Sequence, residues 1–223
     1  MILIFLGPPG VGKGTISAKM VERFGVVQIS SGDLLRATIQ LGYEEGIEAK
    51  MYMDRGNLVP DSIVNKMINE RIAKPDCKNG FILDGYPRTV KQAIDLEGMG
   101  VNVDKVLSFV LDDSELVGRI SGRRICKRCG FIYNTRTNPT KEIDVCDNCQ
   151  GELFLRDDDR PEAVMQRLDV HREKTAKLIE YYGKKKMIAT IDASGTSDEV
   201  FERCMQTIKE AGYCDCGVTS LTQ

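Results

Sequence analysis

The sequence predicts an α/β protein, a parallel sheet covered by helices on both faces. Three observations carry that expectation. Short apolar runs recur and end in Gly or Asp, stretches of helical periodicity lie between them, and one cysteine-rich stretch breaks the alternation. Strands buried on both faces read as continuous apolar runs, and helical crossovers supply the covering layers.

The runs come first. Ile2–Leu6 ends at Gly7, Phe81–Leu83 at Asp84, Val106–Leu111 at Asp112 and Asp113, and Met187–Ile191 at Asp192. Val26–Ile29 is a weaker fifth. Between them, Ile63, Val64, Met67, Ile68 and Ile72 form a helical stripe after Pro60 and Asp61. Val164, Leu168, Thr175, Leu178, Ile179 and Tyr182 form a second, and Val200, Phe201, Cys204 and Ile208 a third. In such sheets ligands bind at the carboxyl ends of the strands, where the glycines and aspartates fall here. From Gly122 to Asp159 the chain is rich in Cys, Asn, Thr, Pro and charge, which marks an insertion with its own small fold.

Composition narrows the function. Apolar residues make up 42%, enough for a core, and the net charge of −2 does not suggest a general binder of nucleic acid or anionic membranes. No apolar run approaches the roughly 18 residues of a membrane span. The opening MILIFLG is too short for a signal peptide and lacks its basic flank, so a reducing cytoplasm is expected.

After the first run comes GPPGVGKGT, Gly7 to Thr15, which fits G-x-x-x-x-G-K through Gly7, Gly12 and Lys13. Such a loop turns successive backbone N–H groups toward phosphate oxygens at a helix start, and its lysine reaches the outer phosphates. A P-loop NTPase-type sheet follows. Gly14 stands after Lys13 where a hydroxyl is usual, and Thr15 supplies that hydroxyl one residue later. A dinucleotide fold is disfavoured, because the second run ends in Gln28, Ile29 and Ser30 with no acidic residue for a ribose. Asp84, at the end of FILD, suits a water of Mg²⁺, a cation that keeps several waters beside phosphates. Arg88 and Gln92 follow at intervals of four, and a Gln amide can donate to and accept from an adenine edge. Arg36, Arg119, Arg123, Arg156 and Arg167 complete a set suited to clamping phosphate.

Gly7–Thr15, SSGDLLR at 30–36, DGYPR at 84–88 with Gln92, GRR at 122–124, RPE at 160–162 and Arg167 stand in one order along nearly the whole chain. In that order they resemble the adenylate kinase family. The resemblance implies reversible phosphoryl transfer from Mg²⁺-bound ATP to AMP, giving two ADP. It implies that Gly10, Val11, Gly12, Lys13, Gly14 and Thr15 hold the ATP phosphates, with Ile132, Tyr133 and Gly195 beside the base. Ser31, Arg36, Asn57, Leu58, Val59, Gly85, Tyr86, Pro87, Arg88 and Gln92 would bind AMP, and Arg119, Arg123, Arg156 and Arg167 would clamp the phosphates. Lys13, Arg88, Arg123, Arg156 and Arg167 would be the catalytic set, Arg156 and Arg167 also touching AMP. Ser31 replaces the family's usual Thr, and Tyr86 stands where Phe is more usual. Segments 1–29, 60–121 and 160–223 would form the core, with 30–59 a mobile AMP-binding segment and 122–159 a mobile lid. A monomer is expected.

The lid carries Cys126, Cys129, Cys146 and Cys149, a C-x₂-C-x₁₆-C-x₂-C pattern within the spacing of four-thiolate zinc sites. A redox pair needs only one such pair, and two disulfides suit a cytosol poorly. Iron or another thiophilic metal is the nearer rival. Four protein ligands leave no open position, so a structural Zn²⁺ is expected, as in the long metal-bearing lids this stretch resembles. Cys77, Cys204, Cys214 and Cys216 lack a second pair at useful spacing, and His171 stands without a motif. Two rival functions remain. One is a kinase for UMP, CMP or GMP; the other is a zinc-ribbon ATPase that binds nucleic acid, which the charge and the few aromatic residues disfavour.

Overall fold

Alternation along each strand sends successive side chains to opposite faces of a sheet, and here it builds two cores. The computed structural model describes residues 1–212. In chain order the first elements are β1 (Ile2–Leu6), α1 (Lys13–Phe24), β2 (Val27–Ser30), α2 (Ser31–Gln40), α3 (Glu44–Met53), α4 (Asp61–Ile72) and β3 (Phe81–Asp84). Next come α5 (Val90–Gly98), β4 (Lys105–Val110), α6 (Asp113–Ser121), β5 (Arg123–Cys126), β6 (Ile132–Asn134) and β7 (Leu153–Phe154). The last are α7 (Pro161–Lys184), β8 (Ile188–Asp192) and α8 (Ser197–Glu210).

Five strands pair in parallel in the order β2-β3-β1-β4-β8. Leu3, Phe5, Ile82, Leu107, Phe109 and Ile191 face one layer, where Ile16 and Met20 of α1 and Val200, Cys204 and Ile208 of α8 cover them. Ile4, Leu6, Ile29, Leu83 and Val106 face the other, against Val64 and Ile68 of α4, Ala93 and Leu96 of α5, and Leu178 and Tyr182 of α7. The expected parallel sheet with two helical faces is therefore present, and each expected run forms a strand to within about a residue.

Side-chain caps and small residues specify several of the helices. Ser30 Oγ accepts from Asp33 N at 3.2 Å and starts α2, and Thr89 Oγ1 accepts from Gln92 N at 3.1 Å and starts α5. Thr196 and Glu199 form a capping box on α8. Gly46 and Ala49 are the buried residues of α3, and their small size lets α3 lie close on α2: a side chain at Gly46 would run into the backbone of Thr38.

The cysteine-rich stretch folds separately, as an antiparallel sheet of order β6-β5-β7. Its own core is small: Cys126, Tyr133, Cys146 and Leu153 are buried, with Cys149 packed against them. Among the described residues no helix is long and apolar enough to cross a membrane.

Register sets up the site. Asp84 lies opposite Phe5 on one side and Ser30 on the other. The ends of β1, β2 and β3, with the loops that follow them, therefore meet at one edge of the sheet.

Ile82 is fully buried on the interior strand β3. Ile82→Ala is expected to lower unfolding stability by about 2–5 kcal/mol through lost contacts and a residual cavity, read from the urea midpoint at unchanged slope.

Candidate active site

The loop after β1 is an anion cradle by its backbone. Gly12 sits at φ 103° as the N-cap of α1, a conformation that favours glycine, and it offers no side-chain cap. There is no acidic residue in the first turn of α1 either. The leading N–H groups and the positive end of the helix dipole are thus left for an anion. Lys13 folds back over the loop, donating to the carbonyls of Gly7 at 2.8 Å and Pro8 at 2.9 Å. Burial holds its pKa down to about 8; Asp84 opposes the shift, while Arg88, Arg167 and Arg123 add to it. Asp84, half-buried beside the cradle, has its carboxyl pushed up by desolvation and pulled back by Lys13.

A second pocket wall forms where β2 and β3 end. Ser31 Oγ donates to the Gly85 carbonyl at 2.7 Å, and Arg88 Nε donates to the same oxygen at 2.7 Å. Gln92 is pinned at both ends of its amide. Its Oε1 accepts from Arg88 N at 2.7 Å, and its Nε2 donates to Asp61 Oδ1 at 2.6 Å. One N–H and one lone pair of that amide remain uncommitted by these bonds.

Arginines from three parts of the chain converge between the two walls. Arg36 of α2 pairs with Asp33 at 2.6 Å and approaches Asp158 to 3.7 Å. Arg167 of α7 pairs with Asp158 at 3.0 Å and Asp159 at 3.1 Å, and Arg123 also binds Asp159. Arg156 reaches across to Asp33 at 3.4 Å. Burial and like charge bring Arg88 and Arg156 down to about 10, through Arg167 and Arg36 for the first and Arg36 and Arg123 for the second. Both remain charged at neutral pH.

Lys13, Asp84, Gln92 and the arginines line one cleft of about 1690 Å³. A site for one drug-sized ligand is about 300–1,000 Å³, so the cleft has room for two nucleotides end to end. Its roof comes from the small antiparallel sheet: a side chain on Gly14 would meet Ile132 at 3.7 Å. In that sheet the four lid thiols come together, every sulfur within 4.8 Å of the others. Cys126 and Cys149 lie 3.4 Å apart, Cys129 and Cys146 3.6 Å. A tetrahedral M–S₄ site with bonds near 2.3 Å has edges of about 3.8 Å, so the donor set and its spacing fit a metal. Burial pushes the Cys146 thiol up, but the Tyr133 hydroxyl and backbone N–H groups outweigh it and bring it to about 6, toward the thiolate that a metal needs.

A family model described as adenylate kinase matches residues 5–187. A Thermodesulfovibrio yellowstonii protein named adenylate kinase is 48% identical over 205 residues, spanning 90% of this chain and 95% of its own length. Those of Methanosarcina barkeri and Methanosarcina mazei are 47% and 50% identical; they span 94% and 91% of this chain, and 99% and 95% of their own. The chain belongs to the adenylate kinase family.

Set against that family, the structure brings nearly every expected site residue to the cleft. Gly10 to Thr15, Ser31, Arg36, Asn57 to Val59, Asp84, Gly85, Pro87, Arg88, Gln92, Arg119, Arg123, Ile132, Tyr133, Arg156, Arg167 and Gly195 all line it. Tyr86 does not. Its ring is wholly buried, and its hydroxyl donates toward Asn65 Oδ1 at 2.8 Å and the Gln92 carbonyl at 3.2 Å. Sequence reasoning missed Asp33, Asp158 and Asp159, the carboxylates that hold the arginines, and it missed Gln28. It had named the segments in which the first three lie, but nothing in the pattern paired them with particular arginines. His171, which stands without a motif, also lines the cleft with its buried Nε2 unpartnered among the described residues, kept neutral by burial at a pKa of about 4. Cys77 and Cys204 are buried, and Cys214 and Cys216 lie outside the described residues.

The lowered Lys13 pKa makes a signed prediction. Phosphate oxygens favour the charged amine, so ATP binding is expected to raise its pKa and take up protons. At pH 8 about half of Lys13 is neutral before binding, so uptake is expected to approach about half a proton there and vanish near pH 6. Titration calorimetry in two buffers of unlike ionisation enthalpy reads this number, and Lys13→Met is expected to abolish it.

Proposed function

We propose that this chain transfers a phosphoryl group reversibly from ATP, bound with Mg²⁺, to AMP, and that the cleft residues divide the work as their chemistry suggests. The observation that carries the reading is the convergence of Lys13, Arg88, Arg123, Arg156 and Arg167 on the space between an open helix N-terminus and the Gly85–Gln92 wall.

The donor phosphates lie along Gly10 to Thr15 with Lys13 at the outer end, and the base lies toward Ile132, Tyr133, Arg119 and Gly195. The acceptor lies along Ser31, Arg36, Asn57 to Val59 and Gly85 to Arg88. For the acceptor base, Gln92 offers one N–H and one lone pair, the pattern that an adenine edge complements. Tyr86 contributes by holding Gln92 and Asn65 rather than by touching AMP. Phosphoryl transfer proceeds with charge spread over the equatorial oxygens, so catalysis is positioning and charge stabilisation, and no general base is required. Arg88, Arg123, Arg156 and Arg167 supply that charge as fixed planar donors. Asp84 would hold a water of the Mg²⁺ that neutralises charge between the phosphates.

Residues 30–59 and 122–159 act as two flaps on a core of 1–29, 60–121 and 160–223. Their closure excludes water, the gating role for which the adenylate kinase lid is a standing example. The lid metal is Zn²⁺, and its role is structural. Four thiolates leave no open position, and a core of four buried side chains is too small to hold a lid without a staple. Zinc-finger peptides gain about 10–16 kcal/mol from such a metal. The protein works as a cytoplasmic monomer that does not engage nucleic acid.

The deciding experiment offers AMP, CMP, UMP and GMP separately with ATP·Mg²⁺. Turnover with AMP alone is expected; turnover with another acceptor would overturn the reading of Gln92. Arg88→Ala is expected to lower kcat on the order of 10³-fold, the low end for a transition-state arginine. Removing the lid metal with a chelator is expected to make 122–159 the first site of proteolysis, while the core resists; an unchanged digestion pattern would remove the structural role.

A further inference from the structure

Gln28 is a polar residue in a place built for apolar ones. In β2, Val27 and Ile29 pack in the layer under α4 and α5. Gln28, between them, faces the opposite layer, the one that contains α1. Pairing puts Gln28 opposite Ile82 and Ser30 opposite Asp84. Asp84 shares its parity with Ile82, so Gln28 and Asp84 project from the same face, one diagonal step apart. Gln28 Nε2 donates to Asp84 Oδ2 at 3.2 Å. Both line the cleft, and both face the cradle: a side chain on Gly14 would lie 3.9 Å from Asp84 Oδ2 and 4.0 Å from Gln28 Nε2.

We propose that Gln28 is a positioning residue for this reaction: its amide N–H fixes one oxygen of Asp84, so that the other is aimed at the water shell of the cation that accompanies ATP. This rests on the reading of Asp84 given above. A lone carboxylate rotates about its last torsion, a broad and shallow one. A water-mediated contact to a cation depends on where each oxygen points, and a hydrogen bond to one oxygen removes that freedom. Groups that orient a metal's ligands contribute about 10–100-fold to metal affinity or activity. Here the contact passes through water, so the lower end applies.

The test separates cation-dependent from cation-independent binding. Affinity for ATP is measured by calorimetry with and without Mg²⁺, and the Mg²⁺ concentration for half-maximal turnover is measured alongside. Gln28→Leu is expected to raise that Mg²⁺ concentration about tenfold, to leave Mg²⁺-free ATP affinity within twofold, and to leave the KM for AMP unchanged. If ATP affinity falls equally with and without Mg²⁺, Gln28 is only a structural element of the sheet and the proposal is overturned. An unchanged Mg²⁺ requirement overturns it as well. Asp84→Asn runs in parallel. If that variant leaves the Mg²⁺ requirement unchanged, the assignment of Asp84 itself fails and takes the proposal with it. If Asp84→Asn shifts the requirement and Gln28→Leu does not, only the role of Gln28 fails. Should Gln28→Leu not fold, Gln28→Met keeps the length and removes the donor; the same selective rise in the Mg²⁺ requirement is expected, and its absence is equally decisive.

Discussion

Lys13, Arg36, Arg88, Arg123, Arg156 and Arg167 crowd a single cleft, and much of the structure exists to make that crowding tolerable. Taking a cation out of water is costly, and a second cation nearby adds to the cost. The lowered pKa values of Lys13, Arg88 and Arg156 record both effects. Three carboxylates offset them in part. Asp33 and Asp158 both sit below their ordinary range; burial would raise them, but Arg36 and Arg156 draw down the first, and Arg167, Arg36 and Arg156 the second. Asp159, fully buried, joins Arg123 to Arg167. The charge still unmatched is an affinity for anions, already built before any nucleotide enters.

The same ion pairs tie separate parts of the chain together. Asp33 belongs to α2, Arg156 to the end of the lid, and Asp158 to the turn that leads into α7. A phosphate that takes the place of one of these carboxylates exchanges a contact within the protein for a contact with substrate. The small antiparallel sheet has little apolar core of its own, and its four cysteines lie where a metal could staple it.

The sheet supplies what the charges cannot, which is fixed position. Its two apolar layers clamp β1, β2 and β3 between helices, so the loops that follow them start from rigid ends. Gln28 and Asp84 bring polar groups to the carboxyl edge of the sheet, and there they engage each other. Pre-organisation of this kind matters most for a reaction whose catalysis is placement and electrostatics.

Much of this could be read along the chain. The glycine loop, the DGYPR stretch and the paired cysteines are local patterns, and local backbone chemistry determines what they form. The strands were legible because a buried parallel strand must be apolar throughout, and the lid because composition changes abruptly at its edges. What the sequence could not decide was pairing. Which carboxylate meets which arginine, that Tyr86 turns into the core rather than the cleft, and that Gln28 reaches Asp84 all depend on strand order and register. A one-residue slip would send Gln28 to the opposite layer and break the last of these. The residue types suited to holding phosphate are determined by the sequence itself. Their partners, and so the charge left over for substrate, were decided by tertiary structure, because electrostatic energy depends on distances between groups far apart along the chain.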